Sequence, residues 1–407
     1  MRDGFVIVDG HAHTYMRDLA PKIISSFTEL HRMEPTGSLG KGTVEDLLER
    51  MGSGGIDKAV LANFGPVKAV DRINAWNLAG CGTDDRLVPL VSVYPGMRVK
   101  DLEELVDQGA KGVKMHNGIQ EFDACDPGLD EVYDVCASRG LPVTLHCGET
   151  SRVHLNEYTD EAHVESAVRS HGNVTFVLTH LAAGNPRTLF RLAESYRNMV
   201  IDTSIAFSGE HCIRRIHDDF WEDDRNVVEA FRKIGCDRIS FGSDYPYGSP
   251  ASDVRRILSL DLTEEEKSRI LGLNTLELYG IDVPLRRGQS QAEAHAERSF
   301  SEAPDGKRLP ASTLAPGARD AMFFPESPMS LPPEVANGTT VFPAKSQDSM
   351  NVSMIDGSLY HHTGNPTKTT SYAETSAFED MAGLEDLSLI SMVLLLFLSL
   401  QSRSASV

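Results

Sequence analysis

Short apolar runs alternate with longer amphipathic stretches from the amino terminus to about residue 283. Eight runs have the length of buried strands, and each is followed by a segment of helical periodicity or by a loop. The strand candidates are residues 5–8, 58–61, 87–93, 112–115, 142–145, 175–178, 199–201 and 238–241. The clearest helical segments are residues 43–51, 101–108, 129–138, 160–170, 186–196 and 225–234. Gly140, Asn198 and Gly235 follow three of them and predict left-handed caps.

The repeated order of strand and helix predicts a parallel sheet covered by helices, because parallel neighbours need a crossover connection. Eight such units in roughly 280 residues fit a closed (β/α)8 TIM barrel, which takes about 250 residues. The alternative is an open doubly wound sheet, which usually carries a Gly-rich phosphate-binding turn after its first strand. Here the first strand runs into His11-Ala12-His13 instead. We therefore expect the α/β TIM barrel.

The character of the sequence changes after Val283. Residues 284–386 are rich in Ser, Pro, Gly, Ala and Thr without a sustained period, which is typical of a low-complexity, disordered extension. Residues 387–400 are almost purely apolar, but as a helix they would span only about 21 Å of a roughly 30 Å bilayer core. A weak membrane anchor, an interfacial helix and a gene-model error all remain open for this segment. We expect a barrel domain over residues 1–283.

The formal net charge of −20 argues against nucleic acid as a partner, because phosphates favour basic surfaces. The 6 cysteines are scattered without a C-x-x-C pair, as expected for free thiols in a reducing compartment. The first apolar run is too short for a signal peptide. These features predict a cytoplasmic protein with a small-molecule partner, and they leave a homo-oligomer open.

Histidines and one aspartate fall at the ends of strand candidates. His11 and His13 are two positions apart after the first run, so strand alternation points both to one face. His146 ends the fifth run, His180 ends the sixth, and Asp244 follows the eighth. The carboxyl ends of the strands are the face on which TIM barrels carry their active sites.

Each of these residues alone has an ordinary explanation, since histidines occur in cores and on surfaces and Asp244 could cap the next helix. Their coincidence at four strand ends favours a shared site. Imidazole nitrogens and a carboxylate are ligands that Zn2+ and similar ions prefer, and catalytic sites keep one position open for water. Such an ion lowers the pKa of water from 15.7 to roughly 7.

Several ordered motifs carry a family resemblance. They are residues 8–13 (VDGHAH), 111–116 (KGVKMH), 141–149 (LPVTLHCGE), 178–180 (LTH), 241–246 (FGSDYP) and the closing 274–281 (NTLELYGI). Together they resemble the amidohydrolase superfamily, in the amidohydrolase-related branch that includes aminocarboxymuconate-semialdehyde decarboxylase. The likeness spans residues 1 to about 282.

The resemblance implies a role for each position. His11, His13 and His146 would bind a metal ion, and Asp244 would bind it too and take the proton of the attacking water. His180 would orient that water, polarise the substrate or bind a second ion. The implied cofactor is a divalent metal, with one Zn2+ expected and Mn2+ or a binuclear site as alternatives.

Lys114 is ambiguous in the same comparison. Binuclear members carry a carbamylated lysine at the end of the fourth strand, whereas Lys-Met/Leu-His is also usual in mononuclear members. The parity of Lys114 and His116 lets either side chain face the barrel mouth. We expect one metal, with Lys114 contacting a substrate anion or a neighbouring carboxylate.

We expect a metal-dependent hydrolase of an amide, ester, lactone or related C–N or C–O bond. The alternative is a non-oxidative decarboxylase (carboxy-lyase) of an aromatic or enoic acid, since the resembled branch contains both chemistries. An arginine that holds a carboxylate at the barrel mouth would favour the alternative; the candidates in loops are Arg17, Arg152, Arg214 and Arg215. A non-catalytic scaffold tethered to a membrane rests on the apolar segment alone and is least favoured.

Two long connections, residues 14–41 and 206–224, have the length of lids that set specificity. Cys147 adjoins a predicted ligand without an obvious base, so we interpret it as a packing residue and not as a nucleophile.

Overall fold

The computed structural model describes residues 4–30, 39–148, 157–205 and 219–282, and two short strands further along the chain. Residues 4–282, with those gaps, belong to one compact unit, and the two later strands belong to a second unit. The two later strands, at Val352–Ile355 and Ser358–His361, pair antiparallel within the second unit. The predicted extension (284–386) and apolar segment (387–400) otherwise lie outside the described residues, so both stay predictions.

The described part of the first unit contains nine short strands in parallel pairs. They are β1 Val8–Ala12, β2 Lys58–Leu61, β3 Leu87–Pro89, β4 Val91–Ser92, β5 Val113–Met115, β6 Val143–Leu145, β7 Phe176–Leu178, β8 Met199–Asp202 and β9 Ile239–Ser240. The hydrogen-bonded order follows the chain, as β1-β2-β3 and as β4 through β9. The third predicted strand is divided at Leu90, whose N–H reaches Leu61 O over 3.1 Å. The eight predicted strand positions are therefore all occupied.

The chain after β9 returns to β1 and closes the barrel. Gly10 N–H donates to Phe241 O over 2.8 Å, and Asp244 N–H donates to His11 O over 2.8 Å. His13 N–H donates to Tyr245 O over 2.7 Å. A Cβ at Gly10 would lie 2.6 Å from Ser240 Oγ, so this close approach requires glycine.

Helices follow the strands and cover the barrel. They are α1 Ala20–Leu30, α2 Val44–Gly54, α3 Val70–Cys81, α4 Val99–Asp107, α5 Asn117–Gln120, α6 Asp130–Arg139, α7 Glu161–Ser170, α8 His180–Ala183, α9 Pro186–Ser195, α10 Asp224–Ile234, α11 Pro250–Ser259, α12 Glu264–Ser268 and α13 Asn274–Leu278. A π-helical stretch at Arg269–Leu273 joins α12 to α13. Short 3-10 turns lie at Val67–Ala69, Pro127–Leu129, Asp219–Glu222 and Cys236–Arg238. No helix in the described ranges is long and apolar enough to span a bilayer.

Two local predictions were wrong in detail. The first strand was expected at residues 5–8 but begins at Val8, because the N–H of Ile7 bonds to the Asp57 carboxylate and so lies outside the strand ladder. Asn198 was expected to adopt a left-handed cap. Instead its side-chain amide donates to the carbonyls of Val168, His171 and Val174 behind α7. A side-chain amide can thus hold a connection that Gly would make through its backbone.

The C-terminal helix α13 anchors the predicted end of the domain. The Asn274 amide donates to the carbonyls of Cys236 and Ile239, each over 2.7 Å. Leu276 and Tyr279 pack in one buried cluster with Val8 of β1. Residues 274–281 therefore belong to the barrel, in agreement with their place in the resemblance.

Candidate metal centre

The strand ends bring the predicted site residues into one cavity of about 200 Å3. His11 lies in β1 and Lys114 lies in β5. His13 and His146 directly follow β1 and β6, whereas His180 and Asp244 lie in the connections after β7 and β9. The predicted residues that line the cavity are His11, His13, Lys114, His146, His180 and Asp244. Their common location agrees with the rule that barrel enzymes use the carboxyl ends of the strands.

Three of these side chains form a tight group. His11 Nε2 and His13 Nε2 are 3.1 Å apart, and Asp244 Oδ1 lies 3.1 Å from His13 Nε2 and 3.7 Å from His11 Nε2. All three residues are buried. In the described part of the chain, this is the group of ligand-type side chains close enough together to hold a metal ion.

Asp244 is not a helix cap. The next helix, α11, begins at Pro250 and has Ser249 as its N-cap residue. The Asp244 carboxylate contacts His13, and its backbone has a left-handed φ of 57° that turns the side chain into the cavity. Burial alone would raise the pKa of Asp244, but the hydrogen bond with His13 and the surrounding imidazoles outweigh it and hold the pKa below the usual range.

Asp202 orients His11 from behind. Its Oδ2 lies 2.5 Å from His11 Nδ1, and its Oδ1 accepts the N–H of Ser204. Burial opposes ionisation, yet the interactions with His11 keep the pKa of Asp202 below its ordinary value. An ionised carboxylate can only accept, so His11 carries its proton on Nδ1 and presents the Nε2 lone pair to the cavity.

His180 stands on α8, a single turn whose first residues have left-handed backbone angles. The φ values of His180, Leu181 and Ala182 are 57°, 52° and 50°. Such angles cost non-glycine residues roughly 1–2 kcal/mol each, so the surrounding fold must stabilise them. His180 Nδ1 lies 3.0 Å from the carbonyl oxygen of Ser204 and donates to it, which leaves Nε2 with a lone pair.

His146 is placed beside the tight group but not within it. Its Nδ1 lies 3.3 Å from His180 Nε2 and can donate there. Its Nε2 is shielded from solvent and has no hydrogen-bond partner among the described residues. A buried nitrogen lone pair without a partner is unfavourable unless a ligand occupies it. This orphaned atom is compatible with the predicted ligand role.

Burial keeps the imidazoles neutral. It lowers the pKa of His11, His13 and His180, and it brings the pKa of His116 and His146 well below the ordinary value. Neutral imidazole is the form that binds metal ions. The donor set, with several neutral histidines and one carboxylate, therefore fits Zn2+ or a similar divalent ion.

The sequence left open whether Lys114 or His116 faces the barrel mouth. In the structure both side chains line the cavity. Lys114 Nζ lies 3.5 Å from His11 Nε2 and over the Phe64 ring, and it forms no ion pair with a carboxylate of the described residues. Burial lowers the pKa of Lys114 to about 8. The His116 ring stacks on His146 with centroids 3.7 Å apart.

Cys147 is buried, and burial raises the pKa of its thiol to about 12. This supports the packing interpretation, because the thiolate is the reactive form.

The connection after β1 covers the cavity, as expected of a lid. Its described residues on the cavity wall are Thr14, Tyr15, Met16, Leu19, Ile23 and Phe27. The Phe27 ring stacks on Tyr247 at a centroid distance of 4.1 Å, and the hydroxyls of Tyr15 and Tyr247 are 2.9 Å apart. Most of the second predicted lid, residues 206–224, lies outside the described residues.

Sequence reasoning missed two residues of the site. Asp202 directly follows the apolar run 199–201, so the strand-end pattern that singled out His146 could have identified it. Arg72 lies on α3 and lines the cavity, but nothing in a helical sequence distinguishes it from other exposed arginines. Of the arginines proposed for the barrel mouth, Arg17 is exposed and pairs with Glu45. Arg152, Arg214 and Arg215 lie outside the described residues.

The sequence also matches a family model over residues 8–281, described as amidohydrolase. This chain belongs to the amidohydrolase family. The match covers the barrel from β1 through α13 and includes every residue of the candidate centre. The superfamily is metal-dependent, in keeping with the His11, His13 and Asp244 group. No curated protein is similar enough to the chain to count as a match.

Solved structures share the barrel at low sequence identity. An uncharacterised TIM-barrel protein from Bordetella bronchiseptica is 18% identical, with a TM-score of 0.53 over 67% of this chain and 98% of that chain. The 5-carboxyvanillate decarboxylase from Novosphingobium aromaticivorans, complexed with manganese and 4-hydroxy-3-methoxy-5-nitrobenzoic acid, is 14% identical, with a TM-score of 0.54 over 69% and 97%. A putative 2-pyrone-4,6-dicarboxylic acid hydrolase from Pseudomonas putida is 18% identical, with a TM-score of 0.51 over 68% and 98%. These likenesses establish the fold.

Proposed function

We propose that this amidohydrolase hydrolyses an amide, ester, lactone or related bond of a small, largely apolar molecule. The observation that carries the proposal is the position of Asp244. Its carboxylate is buried at the cavity, in contact with His13 Nε2, and its pKa is held below the usual range. It is therefore ionised at neutral pH and can accept a proton inside a site shielded from water.

His11, His13, His146 and Asp244 would hold one divalent ion, most simply Zn2+. When bound, such an ion supplies Lewis acidity, which polarises an acyl oxygen and makes water acidic enough to ionise near neutral pH. Asp202 maintains the His11 tautomer that this role requires.

The remaining side chains position the reactants. The single Nε2 lone pair of His180 accepts one hydrogen bond, either from His146 Nδ1, 3.3 Å away, or from the attacking water or a substrate N–H group. The Lys114 ammonium lies beside His11 and can attract an oxygen on which negative charge develops. The apolar wall contributed by the connection after β1 excludes bulk water, which strengthens these polar interactions.

Decarboxylation remains the second candidate, and two cationic side chains in the cavity favour it. Lys114 and Arg72 could each hold a carboxylate of an aromatic or enoic acid. Solved structures with this barrel include both decarboxylases and a putative hydrolase. Their fold is therefore compatible with either reaction.

Metal analysis of the purified full-length protein, followed by a panel of lactones, amides, esters and aromatic acids, tests the proposal. We expect about one divalent ion per chain, and hydrolysis that a chelator abolishes and added metal restores. Carbon dioxide release from the acids without hydrolysis of the other compounds would assign the carboxy-lyase reaction instead. Hydrolysis that is indifferent to chelation would contradict the metal-dependent mechanism.

A further inference from the structure

One cationic side chain in the cavity has no role in the proposed hydrolysis. Arg72 lies on α3, and Ala69, Arg72, Ile73 and Trp76 all line the cavity. Their spacing places them on one face of the helical segment. This face of α3 therefore presents an arginine among apolar side chains.

Arg72 has no ion pair or hydrogen bond with the part of the chain that the structure describes. Its sequence neighbour Asp71 bonds instead to Tyr94 and contributes to raising the pKa of that phenol, after the larger effect of burial. Arginines elsewhere on the barrel surface do pair with carboxylates, as Arg98 does with Asp101 and Arg139 does with Asp107. In a chain of net charge −20, a guanidinium that has no carboxylate partner among the described residues and lines a cavity is available for an external anion.

Arg72 is more exposed to solvent than the side chains of the candidate metal centre. Arg72 is exposed, whereas His11 and His13 are 0% and 5% exposed. Half-buried aromatic side chains, Phe64 and Trp76, line the same cavity. The Phe64 ring stands edge-on to His13 with centroids 5.3 Å apart, so the apolar side of the cavity contacts the candidate metal centre directly. The cavity thus has the Arg72 cation at its exposed mouth and apolar side chains along its wall. Its floor is the buried polar group of His11, His13 and Asp244.

We infer that the ligand of this cavity is a small amphiphilic carboxylate whose carboxylate is bound by Arg72. Its apolar body, such as a ring, lies against Phe64, Ile73 and Trp76, and its reacting bond lies at the floor beside Asp244. A guanidinium pairs with a carboxylate through two parallel hydrogen bonds, and one such cation matches one carboxylate. The carboxylate is then recognised and retained, and it is not the group that reacts.

The identity of the reacting bond rests on the proposed hydrolysis, whereas the binding mode does not. The test therefore measures binding without turnover. The probes are 3-phenylpropanoate, 3-phenylpropanamide and 3-phenylpropylamine, which share one body and differ in their end group. Binding to the full-length protein, with and without added Zn2+, is followed by calorimetry and by the fluorescence of Trp76. The other of the 2 tryptophans, Trp221, is buried away from the cavity lining.

We expect the acid to bind about 10- to 100-fold more tightly than the amide, the usual effect of a charge-assisted hydrogen-bond pair. Arg72→Gln should reduce binding of the acid to the level of the amide, and Arg72→Glu should favour the amine. Arg187→Gln is the matched control, because Arg187 is an exposed helical arginine on α9 outside the cavity lining. It should leave all three affinities unchanged.

Three results would overturn the inference. These are equal binding of acid and amide by the wild type, equal effects of Arg72→Gln and Arg187→Gln, and no binding of any probe. Acid binding that requires Zn2+ but not Arg72 would place the carboxylate at the floor, as decarboxylation needs, and would also contradict the inference. Acid binding through Arg72 in a protein without hydrolase activity would contradict only the proposed reaction.

Discussion

At the scale of single residues, the candidate centre depends on buried partners that set protonation. Asp202 holds the proton of His11 on Nδ1, and the Ser204 carbonyl oxygen does the same for His180. His11 is thereby left with its Nε2 lone pair for the cavity, and His180 is left with an Nε2 lone pair 3.3 Å from His146 Nδ1. The site is organised before any ligand arrives, as catalytic groups require.

Asp244→Asn separates proton transfer from metal binding. The three histidines remain and the amide oxygen can still approach the ion, so we expect most of the metal to be retained. The amide cannot accept the proton, so activity should fall about 10^2- to 10^4-fold. Metal content and steady-state rates measure both effects.

The pH profile extends the same test. Because the pKa of Asp244 lies below its usual range, its acid limb in the wild type should appear only at low pH, and the variant should lack it. Asp224→Asn, an exposed aspartate that pairs with Arg256, is the control. A near-normal rate in Asp244→Asn with metal bound would falsify the general-base role.

Replacing His11 and His13 together by Ala should remove the bound metal. Both side chains line the cavity and contribute nothing to the main apolar cluster, so the barrel should stay folded. Metal analysis and circular dichroism are the measurements, with His163→Ala/His171→Ala as a control away from the cavity. Wild-type metal content in the His11/His13 variant would refute the site assignment. If the double Ala variant does not fold, His11→Gln combined with His13→Gln provides the same test with a smaller change in side-chain volume.

At the scale of elements, the first turn of α12 is capped by its own residues and also bonded to the neighbouring helix α10. Thr263 and Glu266 form a reciprocal capping box, and Glu266 also binds Arg232 of α10 with an Nε–Oε1 distance of 2.9 Å. The hydrogen bond from Arg232 is the main cause that lowers the pKa of Glu266 from 4.5 to about 2. Glu266 thus contributes more to the folded state when it is ionised.

Glu266→Ala should lower the free energy of unfolding by about 1 kcal/mol at pH 7, the usual value of a helix cap. Because the pKa is lowered on folding, the ionic part of this contribution is complete above about pH 4.5 and is lost as pH falls towards 2. Urea unfolding at pH 7 and pH 3 measures the difference between variant and wild type. Glu265→Ala, one position away without this pairing, should show little change. An equal effect of Glu266→Ala at both pH values would contradict the ionic contribution.

At the scale of the whole molecule, barrel closure creates the site. The bonds from Gly10 to Phe241 and from Asp244 to His11 join the two ends of the barrel sequence. They bring Asp244 to His11 of β1 and to His13, which follows that strand. A site assembled across this closure should be lost when the barrel opens, and it should not depend on residues beyond α13.

A chain that ends at Asp282 should therefore fold and retain activity within roughly twofold of the full-length protein. The family match ends at residue 281, and the composition of residues 284–386 offers little apolar surface for packing. Solubility, the thermal midpoint and the rate on the same substrate are the measurements. Insoluble or inactive protein under conditions where the full chain works would show that the extension belongs to the fold.

Local sequence determined the elements and the candidate side chains of this protein. Strand and helix periods are properties of neighbouring residues, so the alternation, most helix ends and the strand-end positions of His11, His13, His146, His180 and Asp244 could all be predicted. Parallel strands of a barrel have their carboxyl ends on one face, so it could also be predicted that these side chains share one cavity. The family match over residues 8–281 agrees with that interpretation.

Only the tertiary structure decided which side chains touch. His11 and Asp202 are 191 residues apart, and no local period relates them. His146 lies beside the tight group because its ring position depends on His116 and His180 from neighbouring strand ends. Arg72 reaches the cavity because the crossover from β2 lays one face of α3 along the wall. Such contacts arise from barrel closure and helix packing, which place residues far apart in sequence at distances of a few ångströms.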